Sequence, residues 1–411
     1  MKSGVRVAVT GMAVACPAGL TVDEAVDGVT SARSAAAPIE AFDASPLPVR
    51  FACEVRGVDF GAHVGPKEVR RIDRAGLLGL AAADDALADA GELDLDPARV
   101  AVIAGTGVGG LTTLEAQIAV HLERGPSRVS PFLVPMMMVN ATAGLISMKH
   151  GFTGASLCVA TACASGANAI GEGLRMIRDG SADVVVAGGT EASITPTAMA
   201  AFARMGALSG RNDDPARASR PFDTERDGFV MGEGAGFMIL ERWDRAEARG
   251  ARIHGELAGY GRTCDAHHIT APAPGGAGAV TCMEQALADA GMAPADVGHI
   301  NAHGTSTPLN DAAEAEAIAK VFGADAPPVT STKGVTGHLV GAAGAVEAVI
   351  GLACAARGLV PPTANLEHTD PEVAVDVVAG DARRIAPAPV LSNSFGFGGH
   401  NATLVLVPAL P

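Results

Sequence analysis

Aromatic side chains are scarce in this 411-residue chain: one Trp, one Tyr and 12 Phe amount to 3% of it. Basic charge is also short, with 30 Lys and Arg against 45 Asp and Glu, for a net charge of -15. There is neither a basic run nor aromatic interleaving, and a nucleic-acid partner is excluded on that ground. No stretch approaches the roughly 20 consecutive apolar residues of a membrane span. The seven cysteines, at positions 16, 53, 158, 163, 264, 282 and 354, are odd in number and form no C-x-x-C pair. That pattern argues against a zinc site or a disulfide framework, predicts no metal, and fits a reducing, cytoplasmic compartment.

What remains suits a large core. Hydrophobic residues make up 48%, charged ones 18%, and 51 glycines allow helices to lie close on sheets. At about 150 residues per domain the length allows two or three units, or one large α/β body. Strands are expected at 5–10, 100–105, 157–160, 182–187, 255–261, 299–302, 390–392 and 402–407, and helices at 66–90, 163–179, 277–290, 308–322 and 337–356. This strand–helix alternation predicts mixed sheets with helices on their faces. Turn-rich Asp213–Phe222 reads as a boundary region.

Chemistry gathers at three places. Cys163 stands in Thr161-Ala162-Cys163-Ala164-Ser165-Gly166, where an apolar strand meets a small-residue helix. A thiol on that first turn faces unpaired N–H groups, which predicts a pKa below the free value of about 8.5. Taken alone, a free Cys more often behaves as a small buried hydrophobe. His303 follows the apolar 297–300 segment in Asn301-Ala302-His303-Gly304-Thr305-Ser306-Thr307-Pro308, and His338 closes Ser331-Thr332-Lys333-Gly334-Val335-Thr336-Gly337-His338. Both histidines sit in glycine- and threonine-framed junctions, the loop positions that tend to carry function on a rigid scaffold.

Together with Asn393-Ser394-Phe395-Gly396-Phe397-Gly398-Gly399, these segments resemble the elongating β-ketoacyl-acyl carrier protein synthases, most closely the synthase II type, almost end to end. Lys2 and Arg6 ahead of the apolar 7–15 segment imitate a short secretion signal, but Gly11 interrupts it and the segment matches the family's first strand. The resemblance implies a thiolase-like α/β fold of two pseudo-duplicated halves, 1–250 and 251–411, layered α-β-α-β-α. It implies a decarboxylative Claisen condensation with Cys163 as nucleophile, His303 and His338 stabilising the enolate, and an oxyanion hole from the N–H groups of Cys163 and Phe397, the latter also a gate. Lys333 is expected to support the site, paired with Glu347, with Asp311 and Glu314 in further support and Asp265 and His268 nearby in structural roles. Thr305, Thr307, Thr270, Phe395 and Val108 are the implied substrate contacts, Val108 lying at the acyl pocket's end. No cofactor is implied beyond the phosphopantetheine arm of an acyl carrier protein.

Carrier docking is expected at Lys67, Arg70, Arg71 and Arg74, which share one side of a helix spaced three and four apart, with Arg128 a further candidate. The segment Gly125–Val139, with Met136, Met137 and Met138, is expected at a dimer interface and along the acyl pocket. Two positions depart from the family: Gly206 replaces a basic residue, with Arg204 two before it, and His400 stands where many relatives have Thr. A coenzyme A thiolase would carry a second Cys near the C-terminus, an initiating synthase an Asn in place of His338, and a non-catalytic chain-length-factor subunit would lack Cys163. Two readings stay open: fatty-acid elongation as a homodimer, or a type II polyketide or polyene ketosynthase beside a chain-length-factor-like partner.

Overall fold

The computed structural model describes residues 4–93 and 96–409, so Lys2 lies outside the described residues. Its main sheet has ten strands, numbered here β1 (Val7–Ala15), β2 (Val100–Gly105), β3 (Ser156–Val159), β4 (Val184–Glu191), β5 (Gly234–Arg242), β6 (Gly255–Cys264), β7 (His299–Asn301), β8 (Val329–Thr330), β9 (Val390–Gly396) and β10 (His400–Pro408). Their order is β8-β7-β9-β10-β6-β1-β5-β4-β2-β3. Adding five to the label of each first-half strand gives its second-half counterpart. Pairing directions repeat as well: β2 lies parallel to β3 and β4, as β7 does to β8 and β9, and the remaining neighbours in each half run antiparallel. The halves join through a short antiparallel contact, Ala8 opposite Glu256 and Val9 opposite Gly255.

Five helices fill the layers: α1 (Arg74–Ala90), α2 (Ser165–Arg178), α3 (Ala277–Ala290), α4 (Pro308–Phe322) and α5 (Ala343–Ala356). Strand alternation explains their placement, because successive side chains point to opposite faces. On β2, Ala101 and Ile103 join a central apolar cluster with α2 and α5, whereas Val100, Val102 and Ala104 face the outer cluster under α1. In the second half Leu404 and Leu406 face the central cluster, and Val405 faces the outer one formed with α3 and α4. The layering is therefore α-β-α-β-α. Helix α5 is buried along nearly its whole length, as the middle layer requires.

The central helices touch at glycine. A Cβ on Gly166 of α2 would lie 2.9 Å from Ala345, and one on Gly344 of α5 would lie 2.8 Å from Ala167. The contact is reciprocal and defines a pseudo-two-fold axis between the helices.

Several expectations need correction. The helix expected over 66–90 is broken: a 3-10 turn spans Glu68–Arg71, Ile72 is extended, and the Asp73 side chain caps α1 by accepting from Ala75 N at 2.9 Å. Lys67, Arg70, Arg71 and Arg74 therefore share no helical face. The helices expected from Cys163 and Gly337 begin later, at Ser165 and Ala343, each behind a 3-10 turn. Strands β5 and β8 were not anticipated. Asp213–Phe222 ends as packed structure and not as a solvated linker: Ala218, Ser219, Arg220 and Phe222 are buried, and Ser219, Arg220 and Phe222 bond to Lys333, Ser306 and Asp311 of the second half. The signal-like segment forms the buried strand β1.

Candidate active site

Cys163 is presented by a strained elbow. After β3 the chain turns at Ala162, whose φ of 50° is unfavourable for a residue with a Cβ. Ser165 holds the turn: its Oγ accepts from Thr161 N at 2.9 Å and donates to Ala162 O at 2.6 Å. Cys163 falls in the 3-10 turn Ala162–Ala164 ahead of α2, 8% exposed. The backbone of Phe397 and of Cys163 itself favours the ionised sulfur. A Cβ on Gly396 would lie 2.7 Å from Thr161 O and 3.0 Å from Cys163 N, so only glycine brings the Phe397 loop this close. The thiol nonetheless departs from the sequence expectation. Burial pushes its pKa up to about 11, against the lowering by the Phe397 N–H and the Lys333 charge. The elbow's N–H groups do not outweigh desolvation.

His303 lies two residues beyond β7, and Glu314 of α4 holds its loop, accepting from the N–H of His303 and of Gly304, each at 2.8 Å. Asp311, also buried, accepts from Phe222 N at 2.9 Å. Both carboxylates thus act on backbone. His338 is fixed by its own N–H, which donates to Val230 O at 2.7 Å, and by Phe229, edge-on at 5.2 Å. The two imidazoles stand 5.3 Å apart, inclined by 83°. The Cys163 sulfur and one nitrogen of each ring lie within 4.8 Å of one another.

Burial, then the charge of Lys333, holds both histidines well below their ordinary pKa, so both are neutral and can offer N–H to a developing oxyanion. Lys333 itself forms a buried ion pair with Glu347, whose carboxyl burial raises to about 7. Lys333 does not line the cavity; it acts through its charge.

The three residues open into a cavity of about 400 Å³. Val108, Thr270, Thr305, Thr307, Phe395 and Phe397 line it. Thr305 and Thr307 join hydroxyls at 2.8 Å, and Phe395 packs edge-on to His303 at 6.0 Å. Met205 and Leu309, 53% and 66% exposed, also line it, as does Gly206. Met136, Met137 and Met138 do not line it in this chain. Lys67, Arg70 and Arg128 are exposed, whereas Arg71 pairs with Glu68. Arg74 pairs with Glu233, with contacts of 2.5 and 2.7 Å, and a third of its side chain stays exposed. Sequence reading missed Phe202 and Phe229 on the wall and Glu191 behind it.

A duplicated ten-stranded α/β body with a thiol and two neutral imidazoles at the junction of its halves defines the class: a thiolase-like ketosynthase fold carrying acyltransferase chemistry. Within it, the chain belongs to the β-ketoacyl synthase family, the N-terminal domain matching residues 5–246 and the C-terminal domain residues 254–367. A 3-oxoacyl-[acyl-carrier-protein] synthase 2 from Synechocystis sp. is 48% identical, over 97% of each chain. Among solved structures, the ishigamide ketosynthase/chain length factor superposes with a TM-score of 0.93 at 36% identity, covering 98% of this chain and 99% of that one. A type II polyketide synthase acyl carrier protein in complex with its ketosynthase bound to the hexaketide gives a TM-score of 0.90 at 30% identity, covering 98% and 99%. Among the described residues no helix is long and apolar enough to cross a membrane.

Proposed function

We propose that this chain, built of halves 1–250 and 251–411, elongates acyl chains on an acyl carrier protein in the cytoplasm. The Cys163 thiolate attacks the acyl thioester and expels the carrier's phosphopantetheine thiol, which the Thr305 and Thr307 hydroxyls help to seat. Malonyl thioester then loses carbon dioxide. His303 and His338 donate to the enolate oxygen, and the enolate carbon attacks the acyl carbonyl on Cys163. The N–H groups of Cys163 and Phe397 hold the tetrahedral oxyanion, whose collapse releases the thiolate and a β-ketoacyl thioester. The observation that carries this reading is the meeting of one thiol and two neutral imidazoles within 4.8 Å at a largely apolar cavity. No cofactor enters these steps apart from the carrier's own arm.

A second subunit is part of the proposal. Leu122, Met148 and Leu157 are 77%, 74% and 50% exposed, and Leu157 lies on the edge strand β3, so they favour a partner on that edge. A copy of this chain completes the fatty-acid reading. A chain-length-factor-like partner completes the polyketide reading, which the likeness to the ishigamide ketosynthase/chain length factor supports.

Intact-protein mass spectrometry with a panel of acyl carrier thioesters, followed by malonyl carrier, separates the two. Acylation and a β-ketoacyl product from the chain alone establish a self-sufficient synthase. Failure of the lone chain to acylate, with acylation restored by a second subunit, selects the heterodimer.

A further inference from the structure

The pseudo-two-fold axis gives the catalytic elbow a counterpart. In the second half Val340 has a φ of 47°, a 3-10 turn spans Val340–Ala342, and α5 follows at Ala343, matching Ala162 with its φ of 50°, the turn Ala162–Ala164 and α2 at Ser165. Gly341 therefore corresponds to Cys163. Strand register supplies a second correspondence: Val185 and Val390 face the matched residues Leu240 and Leu406, so Ile103, paired with Ala187, corresponds to Asn301, paired with Ser392. Two residues beyond Ile103 and Asn301 stand Gly105 and His303, so Gly105 corresponds to His303 and Gly107 to Thr305.

The counterpart of the active site has lost its thiol and its imidazole, and it is occupied. Glu191, wholly buried at the end of β4, places Oε2 at 2.6 Å from Gly107 N and 3.1 Å from Gly341 N, and Oε1 at 3.2 Å from the Thr106 hydroxyl. The backbone N–H groups of Gly341, the counterpart of Cys163, and of Gly107, two residues beyond the counterpart of His303, thus converge on a protein carboxylate. Gly107 and its neighbour Val108 line the catalytic cavity, and so does Val340 next to Gly341. One carboxylate ties together two segments of that wall, the second of which continues directly from His338. Its charge also reaches the active thiol, opposing ionisation of Cys163.

We infer that Glu191 is a positioning residue: its carboxylate occupies the counterpart of the Cys163 elbow and fixes the cavity wall at Gly107–Val108 and Val340. The inference rests on Cys163 being the nucleophile. Glu191→Gln keeps the size of the side chain and removes the charge. Glu191→Asp keeps the charge and shortens the reach to two N–H groups.

The test follows iodoacetamide labelling of Cys163 by peptide mass mapping across a pH series, together with kcat/KM of Cys163 acylation for short and long acyl carrier thioesters. The expected result for Glu191→Gln is a labelling midpoint shifted to lower pH. For Glu191→Asp the midpoint stays nearer that of the wild type, while kcat/KM falls several-fold more for long chains than for short ones. A carboxylate serving stability alone would lower the melting temperature but leave the midpoint and the chain-length ratio unmoved, and that outcome overturns the inference. Should Glu191→Gln not fold, the chain-length ratio of Glu191→Asp decides by itself. Wild-type enzyme that is neither labelled nor acylated at Cys163 would instead overturn the nucleophile assignment, which separates the two failures.

Discussion

At the residue scale, the proposed mechanism divides the reaction among three residues. In it only acyl transfer needs a thiolate, whereas loss of carbon dioxide needs donors for an enolate oxygen, the part given to the two neutral imidazoles. Cys163→Ala should therefore lose acyl transfer, while Cys163→Gln retains malonyl decarboxylation. His303→Ala or His338→Ala should keep part of the Cys163 acylation and lose condensation by a factor on the order of 10² or more, as removal of an oxyanion donor does. Carbon dioxide release and intact mass read the two halves of the reaction separately, and a His variant with normal product formation would remove that His from the mechanism. The thiol's pKa of about 11 sets the pH sense of the first half-reaction. Acylation should rise with pH through the neutral range, about tenfold per unit while thiolate is the minor form. Cys163, His303 and His338 were legible in the sequence because each stands in a frame of small residues at the end of an apolar run. Glu191 was not, because a glutamate ending a strand looks the same whether it meets water or two buried N–H groups. The raised thiol pKa was also illegible, since burial is a property of the assembled halves.

At the scale of elements, periodicity located what was long and missed what was short or continuous. Helices α3 and α4 have the expected ends, Ala277–Ala290 and Pro308–Phe322, because glycine or proline marks their boundaries. Strand β5 was missed because it opens on Gly-Ala-Gly and is buried on both faces, so no alternation of apolar and polar residues announces it. Strand β8, only two residues long, is below the reach of any periodicity. The glycine contact between α2 and α5 gives a sharp test. A methyl on Gly166 would sit 2.9 Å from Ala345 and from Gly341 O, with buried neighbours on every side, so Gly166→Ala should destabilise by roughly 1–3 kcal/mol through overpacking. Gly144, in helix Ala141–His150, has nothing within 4 Å of its would-be Cβ, and Gly144→Ala should stabilise by roughly 0.5–1 kcal/mol. Denaturant melts of the two variants check both signs. Equal effects would refute the close packing of the central helices.

At the scale of the whole molecule, the net charge of -15 opposes an acidic carrier protein at long range, so docking must be local. With Arg74 committed to Glu233, the free candidates are Lys67, Arg70 and Arg128. Lys67→Glu with Arg70→Glu should raise KM for a carrier-bound thioester about tenfold, the factor that 1.4 kcal/mol represents, and leave turnover of a free pantetheine thioester unchanged. Steady-state kinetics on the two substrates reads the split, and an equal loss on both would place docking elsewhere. Stability carries its own pH signature. His299, fully buried in β7 with neither ring nitrogen hydrogen-bonded, has its pKa lowered by burial to about 4. The unfolded chain therefore takes up this proton first, near the ordinary value of about 6.5. The contribution is complete above that value and is lost as pH falls from there towards 4. Buried Glu191, Glu314 and Glu347, each raised to about 7, act in the opposite sense, since the folded chain protonates them first and loses stability as pH rises from the ordinary glutamate range towards 7. These terms are common to wild type and a His299→Leu variant and cancel in the comparison. Between about pH 7 and about pH 5, wild type should lose roughly 2 kcal/mol of unfolding free energy relative to His299→Leu, as single-site proton linkage requires. Urea midpoints of both proteins at the two pH values measure the difference, and parallel pH dependence would show that His299 takes up its proton equally in the folded and unfolded chains.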